Sequence, residues 1–183
     1  MKVTQEFIGA DNWVSTTGSP TVGADYVSFL AASQHLFSRG TVHITSSDPT
    51  VYPTIDPKYY SVSFDRKLAA AGFTYIRKIA ASSPYASYIA NEAVPGPNVT
   101  SSPSSIETYV TGDGFTTIKH PIGTASMLPK GKGGVVDHRL VVYGTANLRV
   151  VDASIIPIHF TAHPQATVYG IAEMAGDTIR GRF

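Results

Sequence analysis

Two histidines set 43 positions apart near the C-terminal end constrain this chain more than any other feature. His120 stands in Lys119-His120-Pro121-Ile122-Gly123-Thr124-Ala125-Ser126-Met127. His163 stands in Thr161-Ala162-His163-Pro164-Gln165 and is followed by Ala166-Thr167-Val168-Tyr169-Gly170-Ile171-Ala172-Glu173. Between them run Gly133-Gly134-Val135-Val136-Asp137 and a Val142–Pro157 stretch that contains Leu148-Arg149-Val150-Val151-Asp152-Ala153. A neutral imidazole takes a proton from a hydroxyl near working pH, and a second one can orient that hydroxyl and stabilise negative charge developing on its oxygen.

Composition bounds the rest. The chain has 183 residues, 43% of them apolar and 15% charged, enough to build a packed core. A net charge of +1 without a Lys/Arg run gives no nucleic-acid signal. No apolar run approaches the length that spans a bilayer, so no membrane partner is expected. The absence of cysteine excludes disulfides, Cys-ligated zinc and a thiol nucleophile. The start, Met1-Lys2-Val3-Thr4-Gln5-Glu6, has no apolar core of a signal peptide, and the compartment stays open. One sequon, Asn98-Val99-Thr100, lies in a Pro/Ser-rich stretch and would be usable in a secreted chain. As an isolated match it reads first as an unmodified loop asparagine.

Along the chain, Tyr26, Val27, Leu30 and Ala31 recur at helical spacing and suggest a short helix over Ala24–Leu36. Ser38-Arg39-Gly40 reads as a turn, and Thr41–Ile44 and Thr50–Ile55 as strands. Ser63–Ala81 is the best helix of the first half, with Phe64, Leu68, Ala71, Tyr75, Ile76 and Ile79 as its apolar face. Residues 82–105 read as a surface connection, followed by a short helix reaching Val110. Leu148–Val151 reads as a buried strand that feeds Asp152. Pro164 suits a first helical position, and Val168, Ile171, Ala172, Ala175 and Ile179 trace the apolar stripe of a last helix. His163 therefore precedes a helix N-terminus.

Taken together, these segments resemble the C-terminal part of the glucose-methanol-choline (GMC) oxidoreductases, flavoenzymes that oxidise alcohols. Ser38-Arg39-Gly40-Thr41-Val42 resembles the turn that opens that region, and the resemblance runs over about residues 36–180. It implies that His120 is the general base or hydrogen-bonds the substrate oxygen, and that His163 fills the second active-site position. It implies FAD as cofactor, with Asp152 and Ala153 contacting the phosphate and ribityl region and Pro164 and Gln165 starting the helix under the isoalloxazine. The substrate would be a small-molecule alcohol, in a setting such as secondary-metabolite biosynthesis.

Blander readings stand beside these. Alone, His120 would be a satisfied structural histidine, and Asp152 a turn residue at a strand end. His35, His43 and His138 have no motif support. His159 and His163 share the spacing of a helical metal pair, but Pro164, the missing Glu of His-Glu-x-x-His and the lack of cysteine argue against zinc, so no metal site is expected. No Gly-x-Ser-x-Gly elbow supports a serine hydrolase. Gly131-Lys132-Gly133-Gly134 reads as a surface turn.

Gly-x-Gly-x-x-Gly, the cradle for the ADP part of FAD, occurs nowhere in the sequence. The expected architecture is therefore α+β. Residues 1–117 would form a partial substrate-binding domain on an antiparallel sheet flanked by helices. Residues 118–183 would form the C-terminal segment of a Rossmann-like FAD domain whose N-terminal half is absent. Three functions remain open: part of a flavin-dependent alcohol oxidoreductase, a chain working with a separate N-terminal FAD-binding half, or a non-redox lyase or cyclase using the same histidines.

Overall fold

The structure, a computed structural model, describes residues 5–182. It is α+β, with short antiparallel sheets and three α-helices among the described residues. Contacts divide it into two compact units, Met1–Gly40 with Pro57–Ile118, and Thr41–Asp56 with Lys119–Phe183.

The first unit starts with β1 (Gln5–Ala10) antiparallel to β2 (Ser28–Ser33), in a register that sets Gln5 opposite Ser33 and Ala10 opposite Ser28. The helix expected over Ala24–Leu36 is not formed; its centre is β2. The run is short, and a helix of that length is marginal on its own, whereas β1 offers a full ladder of backbone partners. β1 escaped the sequence reading, because Gln5-Glu6-Phe7-Ile8-Gly9-Ala10 shows no clean alternation.

Helix α1 (Ser63–Ala80) packs on β2 and on α2 (Pro103–Thr111). Pro103 opens α2 at a position where a missing N–H costs nothing, and the Ser102 hydroxyl caps it by accepting from the Ser105 N–H at 3.3 Å. The core joins Ala69 and Phe73 of α1 to Ile106 and Val110 of α2, with Ile76 and Tyr109 packed beside them. Full burial of side chains of the Phe or Ile size stabilises by about 1.5–3 kcal/mol each.

The buried face of α1 is rotated from the one expected. Phe64 and Tyr75 are exposed, while Asp65, Ala69, Gly72 and Phe73 are buried. Two contacts set this rotation. The amide of Gln5 donates to the Leu68 carbonyl at 2.6 Å, and it lies so close to Gly72 that a Cβ there would come within 2.4 Å of it. Asp65, with no exposed surface, accepts from the backbone N–H groups of Phe37 (3.0 Å) and Ser38 (2.7 Å) and from the Ser38 hydroxyl (2.5 Å). A buried carboxylate is tolerable only with such donors, so Asp65 turns inward and holds the backbone at Phe37 and Ser38, where Ser38-Arg39-Gly40 runs on without forming the expected turn.

The second unit contains the hairpin β3 (Thr41–His43) and β4 (Thr54–Asp56), with Thr41 opposite Asp56. From Lys119 to Pro157 the backbone is mostly loop, tied by single bridges that pair Val136 with Met127 and with Val142, and Val141 with Arg149. The strand expected over Leu148–Val151 is reduced to the Val141–Arg149 bridge, and Leu148 is exposed. Its only ladder partner among the described residues is the short loop around Leu140–Val142, too little for a strand. Helix α3 (Gln165–Ile179) closes the unit. Val136, Leu140, Ile155, Ile156 and Ala175 are its buried core, with Met127, Phe160 and Ile171 packed against them. Among the described residues no helix is long and apolar enough to cross a membrane.

Candidate active site

The loop that carries His120 is shaped by its own glycine. Gly123 adopts φ +86°, and a Cβ there would lie 3.3 Å from the Ile156 carbonyl oxygen. Glycine alone permits both the left-handed backbone and this approach. The loop then bonds to the segment that follows Asp152. The Ala125 N–H donates to the Ser154 carbonyl at 3.0 Å, and the Met127 N–H to the Ile155 carbonyl at 2.8 Å. The Ser126 hydroxyl closes the turn on the Gly123 carbonyl at 2.6 Å.

Asp152 is exposed and caps a one-turn 3-10 helix, Ala153–Ile155, by accepting from the Ser154 N–H at 2.7 Å. Ala153 is half-buried and contributes to the core of the unit. The turn-residue reading of Asp152 thus describes its backbone role, and a side chain at this cap remains open to solvent as well.

Pro164 occupies the position before α3, one residue earlier than expected, and is buried; Gln165 is the first helical residue and is exposed. No side chain caps this helix. Its first regular bond runs from the Val168 N–H to the Pro164 carbonyl at 2.9 Å. The N–H groups of Gln165, Ala166 and Thr167 therefore point out of the helix end, which carries partial positive charge.

The structure brings the two predicted histidines together. The rings of His120 and His163 meet edge to face, with centroids 4.8 Å apart and planes at 85°. His120 is half-buried with its Nδ1 atom inside, and His163 is exposed. A third ring joins them. His159 lies with its centroid 6.4 Å from that of His120, and its Nδ1 is 2.7 Å from the Phe160 carbonyl oxygen. A carbonyl only accepts, so this contact places a proton on Nδ1 of His159 and leaves Nε2 of the neutral ring as an acceptor.

Sequence reasoning weighed His159 only as a metal partner of His163. Its proximity to His120 comes from the Ile156–Phe160 loop returning over the core, a path that no local pattern encodes. Among the described residues, no group of three or more His, Cys, Asp or Glu is arranged to hold a metal ion.

The site thus offers imidazoles of differing exposure beside an uncapped helix start and a carboxylate cap on the adjoining turn. This donor set fits the isoalloxazine end of a flavin, since the α3 amides and their positive end favour an electron-rich ring system. Nothing in the sequence supplies the Gly-rich pyrophosphate cradle.

Comparison with known proteins identifies the family of the chain. The chain is 46% identical over 155 residues to the GMC oxidoreductase family protein Mala s 12 of Malassezia sympodialis, covering 85% of this chain and 25% of that protein. It is 40% identical to the glucose oxidase-like protein fsoC of Humicola fuscoatra, over 79% of this chain and 25% of the relative. Among solved structures, a FAD-dependent oxidoreductase from Chaetomium thermophilum superposes with a TM-score of 0.78 at 32% identity, covering 84% of this chain and 26% of that one. A fungal aryl-alcohol oxidase gives a TM-score of 0.74 at 35% identity, covering 88% and 26%. The chain spans about a quarter of the length of the curated relatives it matches. The GMC oxidoreductase family model matches residues 37–172, and the chain belongs to that family of FAD flavoproteins.

Proposed function

We propose that this chain supplies the histidine pair and the isoalloxazine-facing helix start of a FAD-dependent alcohol oxidoreductase. The observation that carries the reading is the edge-to-face pair of His120 and His163 beside the uncapped start of α3. The ADP cradle would come from another stretch of polypeptide, a separate N-terminal half included. On this reading the first unit serves the substrate side and the second unit the flavin side.

FAD held at this site would supply the hydride acceptor for the CH–OH carbon. Nε2 of His120 takes the hydroxyl proton, which concentrates negative charge on the substrate oxygen as the hydride departs. His163, exposed and perpendicular to His120, donates a hydrogen bond to that oxygen and holds it as charge develops. The N–H groups of Gln165, Ala166 and Thr167 would face the electron-rich edge of the flavin, and Asp152 with Ala153 its ribityl side.

The test is a FAD titration of the purified chain, repeated after co-expression with an N-terminal half from a relative. The reading expects a yellow complex in the second case, with alcohol turnover that disappears in His120→Ala. A complex that binds FAD and turns over alcohols unaffected by His120→Ala would overturn the assignment of the base. Acid–base turnover without flavin would favour the lyase or cyclase class instead.

A further inference from the structure

His159 stands beside the histidine pair, and neither the proton step nor the hydride step uses it. Its ring is set by the neighbouring backbone, with Nδ1 2.7 Å from the Phe160 carbonyl oxygen. The Phe160 side chain packs on the core of the unit, so the group that holds the ring is itself anchored. Among the described residues this is the one hydrogen bond of the His159 side chain. Because a carbonyl only accepts, the proton of the neutral ring sits on Nδ1, and Nε2 carries a lone pair that recognises a donor.

The place of the ring gives that lone pair a use. The centroids of His159 and His120 lie 6.4 Å apart with planes at 33°, and His159 precedes His163 by four residues. At this separation no nitrogen of one ring comes within about 3.2 Å of a nitrogen of the other, so the two imidazoles do not exchange a proton directly. The gap suits a molecule that touches both. Two hydroxyls on adjacent carbons, each about 2.8 Å from its own imidazole nitrogen, bridge rings this far apart. An alcohol with one hydroxyl engages His120 and offers His159 nothing.

We propose that His159 determines which alcohols the site takes: its Nε2 accepts a hydrogen bond from a second hydroxyl next to the CH–OH carbon. The site then favours vicinal diols and polyhydroxy alcohols over monohydric ones. The inference rests on the alcohol-oxidising reading of His120 and His163 and adds the class of alcohol to it. His159 meets the substrate away from the reacting carbon, so its loss changes the choice among alcohols more than the chemical step.

The experiment compares kcat/KM for ethylene glycol and for ethanol in the FAD-loaded assembly of this chain with the N-terminal half of a relative. The preference for ethylene glycol should fall about tenfold in His159→Phe, as the loss of one neutral hydrogen bond implies. His159→Gln, whose side-chain amide restores an acceptor, should keep part of it, which a merely structural role would not produce. An unchanged preference in His159→Phe, with turnover that still disappears in His120→Ala, overturns the inference and leaves the base assignment standing. Turnover indifferent to His120→Ala overturns the underlying reading and the inference with it. Nitrogen NMR of the purified chain is a second check that needs no flavin. Neutral His159 should carry its proton on Nδ1, and a proton on Nε2 would sink the proposal whatever the kinetics.

Discussion

The rings of His120 and His163 lie 4.8 Å apart at 85°, so their nitrogens fan out instead of stacking. One ring can take a proton from an oxygen that the other steadies. In the proposed function the two roles are unequal, because the base must be an imidazole whereas the partner needs only a donor. His120→Ala in a flavin-loaded assembly should lower turnover by about a hundred- to ten-thousand-fold. His163→Asn keeps a donor and should cost less than about tenfold, in line with one neutral hydrogen bond. Steady-state kinetics of the two variants checks this; equal losses would overturn the assignment, and a larger loss in His163→Asn would reverse it.

Gly123 ties the His120 loop to Ile156, and its replacement should register as stability before chemistry. Gly123→Ala must hold φ +86° with a side chain and press a Cβ to 3.3 Å from the Ile156 carbonyl. The expected cost is about 1–3 kcal/mol. Gly131→Ala is the control, since no atom lies within 4 Å of its Cβ position and its φ is ordinary. Thermal denaturation should show a lower midpoint for the first variant and little change for the second.

The histidine pair was legible because its chemistry travels with short flanking motifs. Pro164 and Gln165 mark a helix start by local rules, and Gly123 marks a turn. Helices α1 and α3 were placed within a residue or two for the same reason, because capping and periodicity are local, whereas α2 starts at Pro103, inside the stretch read as a surface connection. The inward face of α1 was not legible. It depends on Gln5 and Ser38, far off in sequence, and an inward Asp65 contradicts the apolar stripe that periodicity favours. β2 was misread because its helix-like spacing is overruled by pairing with β1. His159 reaches His120 through a loop path set by the core beneath it.

Asp65 and Tyr60 give a pH prediction. Burial, with the negative charge of Asp65 adding to it, raises the Tyr60 phenol to about 12 from an ordinary value of 10.0. A group whose pKa is raised on folding contributes stability that is complete below its unfolded value and is lost as pH climbs through the folded one. Unfolding free energy should therefore decline between about pH 10 and pH 12. Tyr60→Phe should flatten that decline, and Asp65→Asn should reduce it without abolishing it, because burial is the larger cause. Denaturant unfolding followed across that range, by the fluorescence of Trp13, would measure both.

Helix α3 points to the last prediction. Its expected stripe is only partly used, with Ala175 buried and Ile171 packed on the core, while Tyr169, Met174 and Ile179 are exposed. Tyr169 is 68% exposed and Ile179 59%, so large apolar side chains lie uncovered at both ends of the helix that begins beside His163. Exposed apolar side chains of this size suit burial against another surface. If the proposed cofactor half covers them, Tyr169→Lys with Ile179→Lys should raise the solubility of the isolated chain and lower its binding of an apolar dye. The same pair should weaken assembly with the N-terminal half, by about tenfold or more for two central contacts. Neither substitution touches the histidines or the first turn of α3, so FAD binding should fall only as far as assembly does. Assembly unchanged by the double substitution would show that the partner docks elsewhere and that these side chains of α3 serve another purpose.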